Sequence, residues 1–142
     1  MEEGLLDGNR SIQVGIRGPL YGPEDFDFHA THGFEVIRIE DVKERGVAWV
    51  ITRLARLRGG PVYCSFDIDA VDPAYAPATG TPEAGGLNSY EALCLVRGLR
   101  GLQLVGADLV EVSPPYDGPG AITGVLAANL VFELLSVAAL NR

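Results

Sequence analysis

The sequence predicts an α/β domain in which parallel strands are covered by helices on both faces. Three observations carry this. Four short, largely apolar segments read as strands, and stretches with helical periodicity separate them. Glycine, proline and acidic capping residues fall at the junctions. Strands that alternate with helices require crossover connections, so they run parallel and become buried on both faces. The expected architecture is a three-layer α/β/α arrangement built on a four-stranded parallel half-sheet.

From Ser11 to Arg17 the residues Ile12, Val14 and Ile16 alternate with the period of a strand. The following segment, GPEDFDFHATHG, reads as a helix. Pro23 suits the first helical position, Glu24 and Asp25 suit the positive end of the dipole, and Gly33 suits the residue just past the end. Phe34 to Ile39 is short and β-branched, a second strand. Asp41, with Glu44 three residues on, has the pattern of a capping box. It would open one helix carrying Val47, Val50, Ile51, Leu54 and Leu57 and ending at Gly59-Gly60. Val62 to Asp69 is the third strand. A loop rich in proline and glycine runs from Ala70 to Leu87. Asn88 and Glu91 signal a helix to about Leu99, Leu102 to Val112 is the fourth strand, and Ala121 to Leu140 is the last helix.

The 142 residues are 47% hydrophobic and 21% charged, the balance of one globular domain spanning residues 1–142. The net charge of −8 argues against nucleic acid or an anionic membrane surface as partner, and an acidic field attracts cationic substrates. Two cysteines, Cys64 and Cys94, form no spaced cluster, so buried free thiols are expected. The start, MEEGLLDGNR, is acidic where a secretion signal is basic, which implies a cytoplasmic protein. The segment Ala121 to Leu140 is long enough to cross a bilayer. Glu133 and Asn129 inside it favour a buried helix packed on a sheet.

The chemistry gathers at SFDIDAVDP. Strand side chains alternate faces, so Asp67 and Asp69 are expected to point the same way, a few ångströms apart. Carboxylates aimed into one space repel unless a cation or a shared proton lies between them. Their oxygens suit Mg²⁺, Mn²⁺ or Ca²⁺, or zinc when imidazoles join them. The same pattern also serves as a pair of loop-capping aspartates.

The longer run SFDIDAVDPAYAPATGTPEAGGL resembles the signature of the ureohydrolases, the arginase and agmatinase family. There a strand ending in D-x-D leads through D-P into a G-T-G-T-P loop and a Gly-Gly pair. SIQVGIRGPLY, GADLVEVSPPYD and AITGVLAANLVFELL also look like their counterparts in agmatinase-like members, in the same order. The resemblance implies an arginase-like fold of which only the carboxy-terminal half is present. It implies hydrolysis of a small cationic guanidino compound, agmatine first, to urea and an amine at a two-manganese (Mn²⁺) centre. Asp67 would bridge both metals, Asp69 would bind one, and Glu111 would hold the substrate guanidinium. Such a pairing is chemically apt for a planar cation. Asp72, before Pro73, is expected to shape the turn. Asp108 is expected on the strand face opposite Glu111. His29 and His32 match no motif position of the family. The family usually has glycine at Ala78, so a strained loop is expected there if that backbone has positive φ.

Full-length members carry further metal ligands in a G-G-D-H segment and a D-A-H-x-D run, and neither occurs in these residues. Two readings follow. The chain supplies part of an amidinohydrolase active site, or it is an inactive remnant serving as a folding or oligomerisation module. The retention of Asp67, Asp69 and Glu111 favours the first. A sheet cut through its middle exposes a strand edge and an apolar face. The chain is therefore expected to form homo-oligomers or to associate with the other half of the domain.

Overall fold

The computed structural model describes residues 3–140. Met1 and Glu2, the first residues of the acidic start, lie outside the described residues. Its elements follow the expected alternation: β1 (Ile12–Ile16), α1 (Asp27–His32), β2 (Glu35–Arg38), α2 (Ile39–Arg45), α3 (Val47–Leu54), β3 (Pro61–Asp67), α4 (Ser89–Arg97), β4 (Gln103–Val110) and α5 (Ile122–Leu140). Short 3₁₀ turns occupy several junctions, including Pro23–Phe26 before α1 and Ile68–Ala70 after β3.

Local signals explain most boundaries. Gly33 closes α1 in the left-handed region at φ 77°, which glycine reaches without a Cβ penalty. At the start of α4 the Asn88 side chain accepts from the Glu91 amide, and Glu91 accepts from the Asn88 amide, both at 2.8 Å. This reciprocal cap satisfies two helix-end donors at once. The Glu91 carboxylate also meets Lys43 of α2 at 2.6 Å.

The segment after β2 departs from expectation. Asp41 caps no helix, because α2 begins at Ile39 directly after β2, with Arg38 at the cap position. Burial of Ile39 and Val42 in the core sets that start, and Asp41 falls in the first turn. The single long helix is two. Gly46, at φ 80°, breaks the run between α2 and α3, and the apolar residues from Val47 to Leu54 lie on α3 alone.

The strands pair as β1 with β2 and β3 with β4, both parallel. Among the described residues these form two separate ribbons rather than one continuous four-stranded sheet. One hydrophobic cluster nevertheless joins them: Ile37 of β2, Val42, Val50, Ile68, Leu87, Val96 and Leu130 are all nearly inaccessible to solvent. The lack of a ladder between the two ribbons, among the described residues, is a nonlocal feature that element-by-element reading does not reach.

The last helix is buried on one stripe only. Thr123, Leu126, Ala127, Leu130, Leu134 and Val137 pack inward, while Ile122, Val125, Phe132 and Leu135 are 51–67% exposed. Neighbouring elements cover one side of α5, so a helix apolar all round leaves its other side bare. Its length and composition would suit a membrane span, with a third of the most apolar stretch buried. Glu133 within it pairs with Arg97 of α4 at 2.5 Å, tying the helix to the domain.

Candidate active site wall

Both ribbons direct the carboxyl ends of their strands toward the loop from Ala70 to Leu87, the position where open α/β sheets place ligands. β3 ends at Asp67. The chain then turns through the 3₁₀ segment Ile68–Ala70, and the Asp69 amide donates to Asp67 Oδ1 at 3.1 Å. Strand alternation therefore does not bring the two aspartates together, since Asp69 lies beyond the strand. The turn does. Asp67 caps that turn, so the loop-capping role weighed from the sequence is real, and it coexists with the convergence of the two carboxylates.

Asp67 is half-buried, and its carboxyl is held above the ordinary carboxylate range. Partial burial is the main cause, and the negative charges of Asp69 and Glu111 push in the same direction against the Asp69 amide. Asp69 Oδ2 accepts from the Thr81 hydroxyl at 3.1 Å, which fixes its side chain against the far limb of the loop. Glu111 directly follows β4, exposed, with its backbone at φ 65°. A non-glycine residue in the left-handed region is uncommon and costs of order 1 kcal/mol, and such positions cluster at functional sites. Here it turns the chain out of β4 at the level of Asp67.

Several side chains that the motif reading did not single out build the loop. Arg17, just past β1, donates to the carbonyls of Asp69 and Glu83, each at 2.6 Å, and to that of Ala84 at 3.2 Å. Asp72 receives the amides of Ala74, Gly85 and Gly86 at 2.7–3.2 Å, which realises its expected turn-shaping role. Ala78 is fully buried. Its amide donates to the Thr123 hydroxyl at the start of α5, and its carbonyl accepts from the Ser113 amide. Among the described non-glycine residues only Glu111 and Ala121 have positive φ, so the strain considered for Ala78 does not arise. Arg17 acts through a contact 52 residues away along the chain, and only its place at a strand end could have flagged it.

Other candidates lie apart. Asp108 sits within β4 and accepts from the Tyr63 hydroxyl at 2.8 Å. His29 and His32 pack among Phe26, Phe28 and Phe34.

Among the described residues, no group of three or more histidines, cysteines, aspartates or glutamates is placed to hold a metal ion. The donor set at the strand ends is two convergent carboxylates with a third charge nearby. That chemistry fits part of the oxygen shell of a hard divalent cation, and falls short of the ligand number such an ion takes.

The model of the arginase family matches residues 1–136. A guanidinopropionase of Pseudomonas aeruginosa is 54% identical over 140 residues, covering 98% of this chain and 44% of that protein. A mitochondrial agmatinase of Gallus gallus is 48% identical over 138 residues, covering 96% of this chain and 40% of that protein. Among solved structures, proclavaminate amidino hydrolase from Streptomyces clavuligerus superposes with a TM-score of 0.93 at 42% identity, covering 99% of this chain and 47% of that one. The chain thus spans less than half the length of the relatives it matches.

Proposed function

Since the chain belongs to the arginase family, we propose that it is the carboxy-terminal half of a ureohydrolase domain and supplies one wall of an amidinohydrolase active site. The observation that carries this reading is the convergence of Asp67, Asp69 and Glu111 at the carboxyl ends of β3 and β4. The reaction is hydrolysis of a guanidino compound to urea and an amine.

In this reading Asp67 and Asp69 would provide oxygen ligands to a manganese pair, with the remaining ligands from outside these 142 residues. When bound, that pair supplies water acidic enough to attack a resonance-stabilised guanidinium at neutral pH. Glu111 anchors the guanidinium by charge-assisted hydrogen bonds. Arg17 and Thr81 hold the Asp69 segment in place, and Asp72 closes the loop beside it.

Agmatine is the substrate proposed first. Agmatine is a dication at neutral pH, and a net charge of −8 favours its approach over that of a guanidino acid. Guanidinopropionate is the second candidate, because the relative at 54% identity carries that compound in its name. We read the protein as cytoplasmic, with α5 a domain helix anchored through Glu133. Association, as a homo-oligomer or with the remainder of the domain, is part of the same reading.

The experiment is reconstitution. The chain is combined with the part of the guanidinopropionase relative that it does not match, in the presence of Mn²⁺, and urea release is measured with both substrates. Urea release that Asp67→Asn or Glu111→Gln abolishes supports the proposal. A folded complex that releases no urea from either substrate favours the inactive folding module.

A further inference from the structure

Charge in this chain is sorted along the strands. Five of its eleven basic residues stand at the amino ends of the strands. Arg10 precedes β1, Arg53 lies in the last turn of α3, Arg56 and Arg58 precede β3, and Arg100 precedes β4. Their contacts join them into one surface. Arg53 and Arg56 each hold one carboxylate oxygen of Glu35, the first residue of β2, at 2.7 and 3.2 Å. Arg56 also donates to the Ser11 carbonyl at 3.2 Å, and Arg10, next to Ser11, donates to the Leu57 carbonyl at 2.7 Å. The Arg10 guanidinium lies against Gly60. That of Arg58 comes within 3.9 Å of where a side chain on Gly101 would begin, beside Arg100.

Carboxylates do not balance these arginines. Among the described residues Glu35 is the one carboxylate paired with any of the five, and two of them share it. Asp7, close by in sequence, turns its carboxylate to the Asn9 amide. Arg58 and Arg100 are exposed and pair with no carboxylate among the described residues. The carboxyl ends of the strands carry the reverse. Asp67, Asp69, Asp72, Glu83 and Glu111 gather there, and the Arg17 guanidinium is bound to main-chain carbonyls. The seven residues of β3 separate the two ends by about 20 Å. That exceeds the screening length of about 8–10 Å at ordinary ionic strength, so the net −8 of the chain does not cancel attraction at the amino ends.

The geometry points to a binding surface for a polyphosphate group at the amino ends of the strands, on the end of the molecule opposite the candidate active site wall. Glu35 displays the mode of recognition, with two guanidinium forks closing on a single oxyanion. Arginine forks match phosphate oxygens in the same way. Charge density selects the ligand. A polyphosphate places several negative charges within a few ångströms, about the spacing of guanidiniums that share one carboxylate. An extended acidic peptide spreads the charges of one face about 6–7 Å apart. A nucleic acid would bring its long phosphate backbone against the acidic remainder of the chain, and no aromatic ring on which bases could stack occurs in the contacts above. The surface stands apart from the half-domain reading, since every residue in it belongs to this chain.

The test is titration of the full isotope-labelled chain with inorganic triphosphate, followed by NMR of the arginine Nε–H groups and main-chain amides. Resonances of Arg53, Arg56, Arg58 and Arg100 are expected to move together and saturate, while those of Arg17 stay in place. The double variant Arg58→Ala with Arg100→Ala removes two exposed side chains that pair with no carboxylate, and is expected to weaken binding about fivefold or more. Arg38→Ala, at the carboxyl end of β2, leaves binding unchanged. ATP in place of triphosphate distinguishes the source. Equal affinity assigns the phosphates alone, and tighter binding with the same arginine shifts assigns a nucleotide. Four results overturn the surface: no saturable shift with either compound, shifts centred on the Asp67 to Glu83 segment, full affinity in the double variant, or hexaglutamate binding at least as tightly as triphosphate.

Discussion

The Arg17 side chain donates to the main-chain carbonyl of Asp69 at 2.6 Å, so a residue at the end of β1 fixes the backbone of an aspartate at the end of β3. The same guanidinium takes the Glu83 carbonyl on the far limb of the loop. One side chain thus locks both ends of the segment that carries the candidate site. Replacing it removes a charged donor from three main-chain carbonyls, those of Asp69, Glu83 and Ala84. Arg17→Ala is expected to lower stability by about 1–2 kcal/mol, given the value of hydrogen bonds to charged groups and the partial exposure of this one. Arg17→Lys, able to reach one carbonyl at a time, recovers only part of the loss. Urea unfolding midpoints of the two variants check both statements.

Asp72 organises the loop interior by accepting three amides, and those of Ala74, Gly85 and Gly86 together hold its carboxyl below the ordinary range. A carboxyl depressed in the folded state stabilises above its unfolded value and ceases to do so as pH falls through the folded value. The Gly85 and Gly86 amides are therefore expected to remain protected at neutral pH and to lose protection in acid. Asp72→Ala abolishes that protection at every pH. Amide exchange across an acid titration distinguishes the two.

Ala78 occupies a fully buried position with ordinary backbone geometry. Restoring the glycine usual in the family brings no relief of strain. Ala78→Gly is expected to destabilise by about 0.4–1 kcal/mol, through greater freedom of the unfolded chain. Ala78→Val overfills the contact with Thr123 and costs about 1–3 kcal/mol. A stabilised Ala78→Gly variant in thermal unfolding would contradict this description of the loop.

Burial pushes the Cys64 thiol up to about 11, with the charge of Asp108 adding to the effect. The folded state keeps its proton where the unfolded thiol has lost it. The contribution is intact below the ordinary thiol value of 9.0 and disappears as pH rises toward 11. The loss amounts to roughly 2–3 kcal/mol across that window. Cys64→Ala flattens the alkaline limb of the stability profile, and alkylation of Cys64 lags until the pH exceeds about 10.

What the sequence made legible was local. Asn88 with Glu91 and Gly33 after α1 act on neighbouring residues, and they mark boundaries that the structure keeps. The apolar run from Val62 located β3, but the D-x-D was read as the end of the strand, whereas Asp69 lies in the turn beyond it. Where the outcome depended on distant partners, periodicity misled. Val47 to Leu57 looked continuous with Asp41 because spacing does not register a single left-handed Gly46. The α5 residues looked uniformly buried because composition records apolarity, whereas burial depends on what lies opposite. The pairing of β3 with β4 and the reach of Arg17 both depend on contacts some 40–50 residues apart, beyond any window of local pattern. At the site, the aspartate pair was legible as a pair. The turn that joins it and the left-handed Glu111 were not.

The central claim is that these residues form one wall of an active site whose other wall lies elsewhere. It is tested most directly by elemental analysis of the purified 142-residue chain after equilibration with Mn²⁺, with urea release from agmatine assayed on the same sample. The account predicts fewer than one manganese per chain and no urea. Two manganese ions bound per chain, with urea produced, would contradict it.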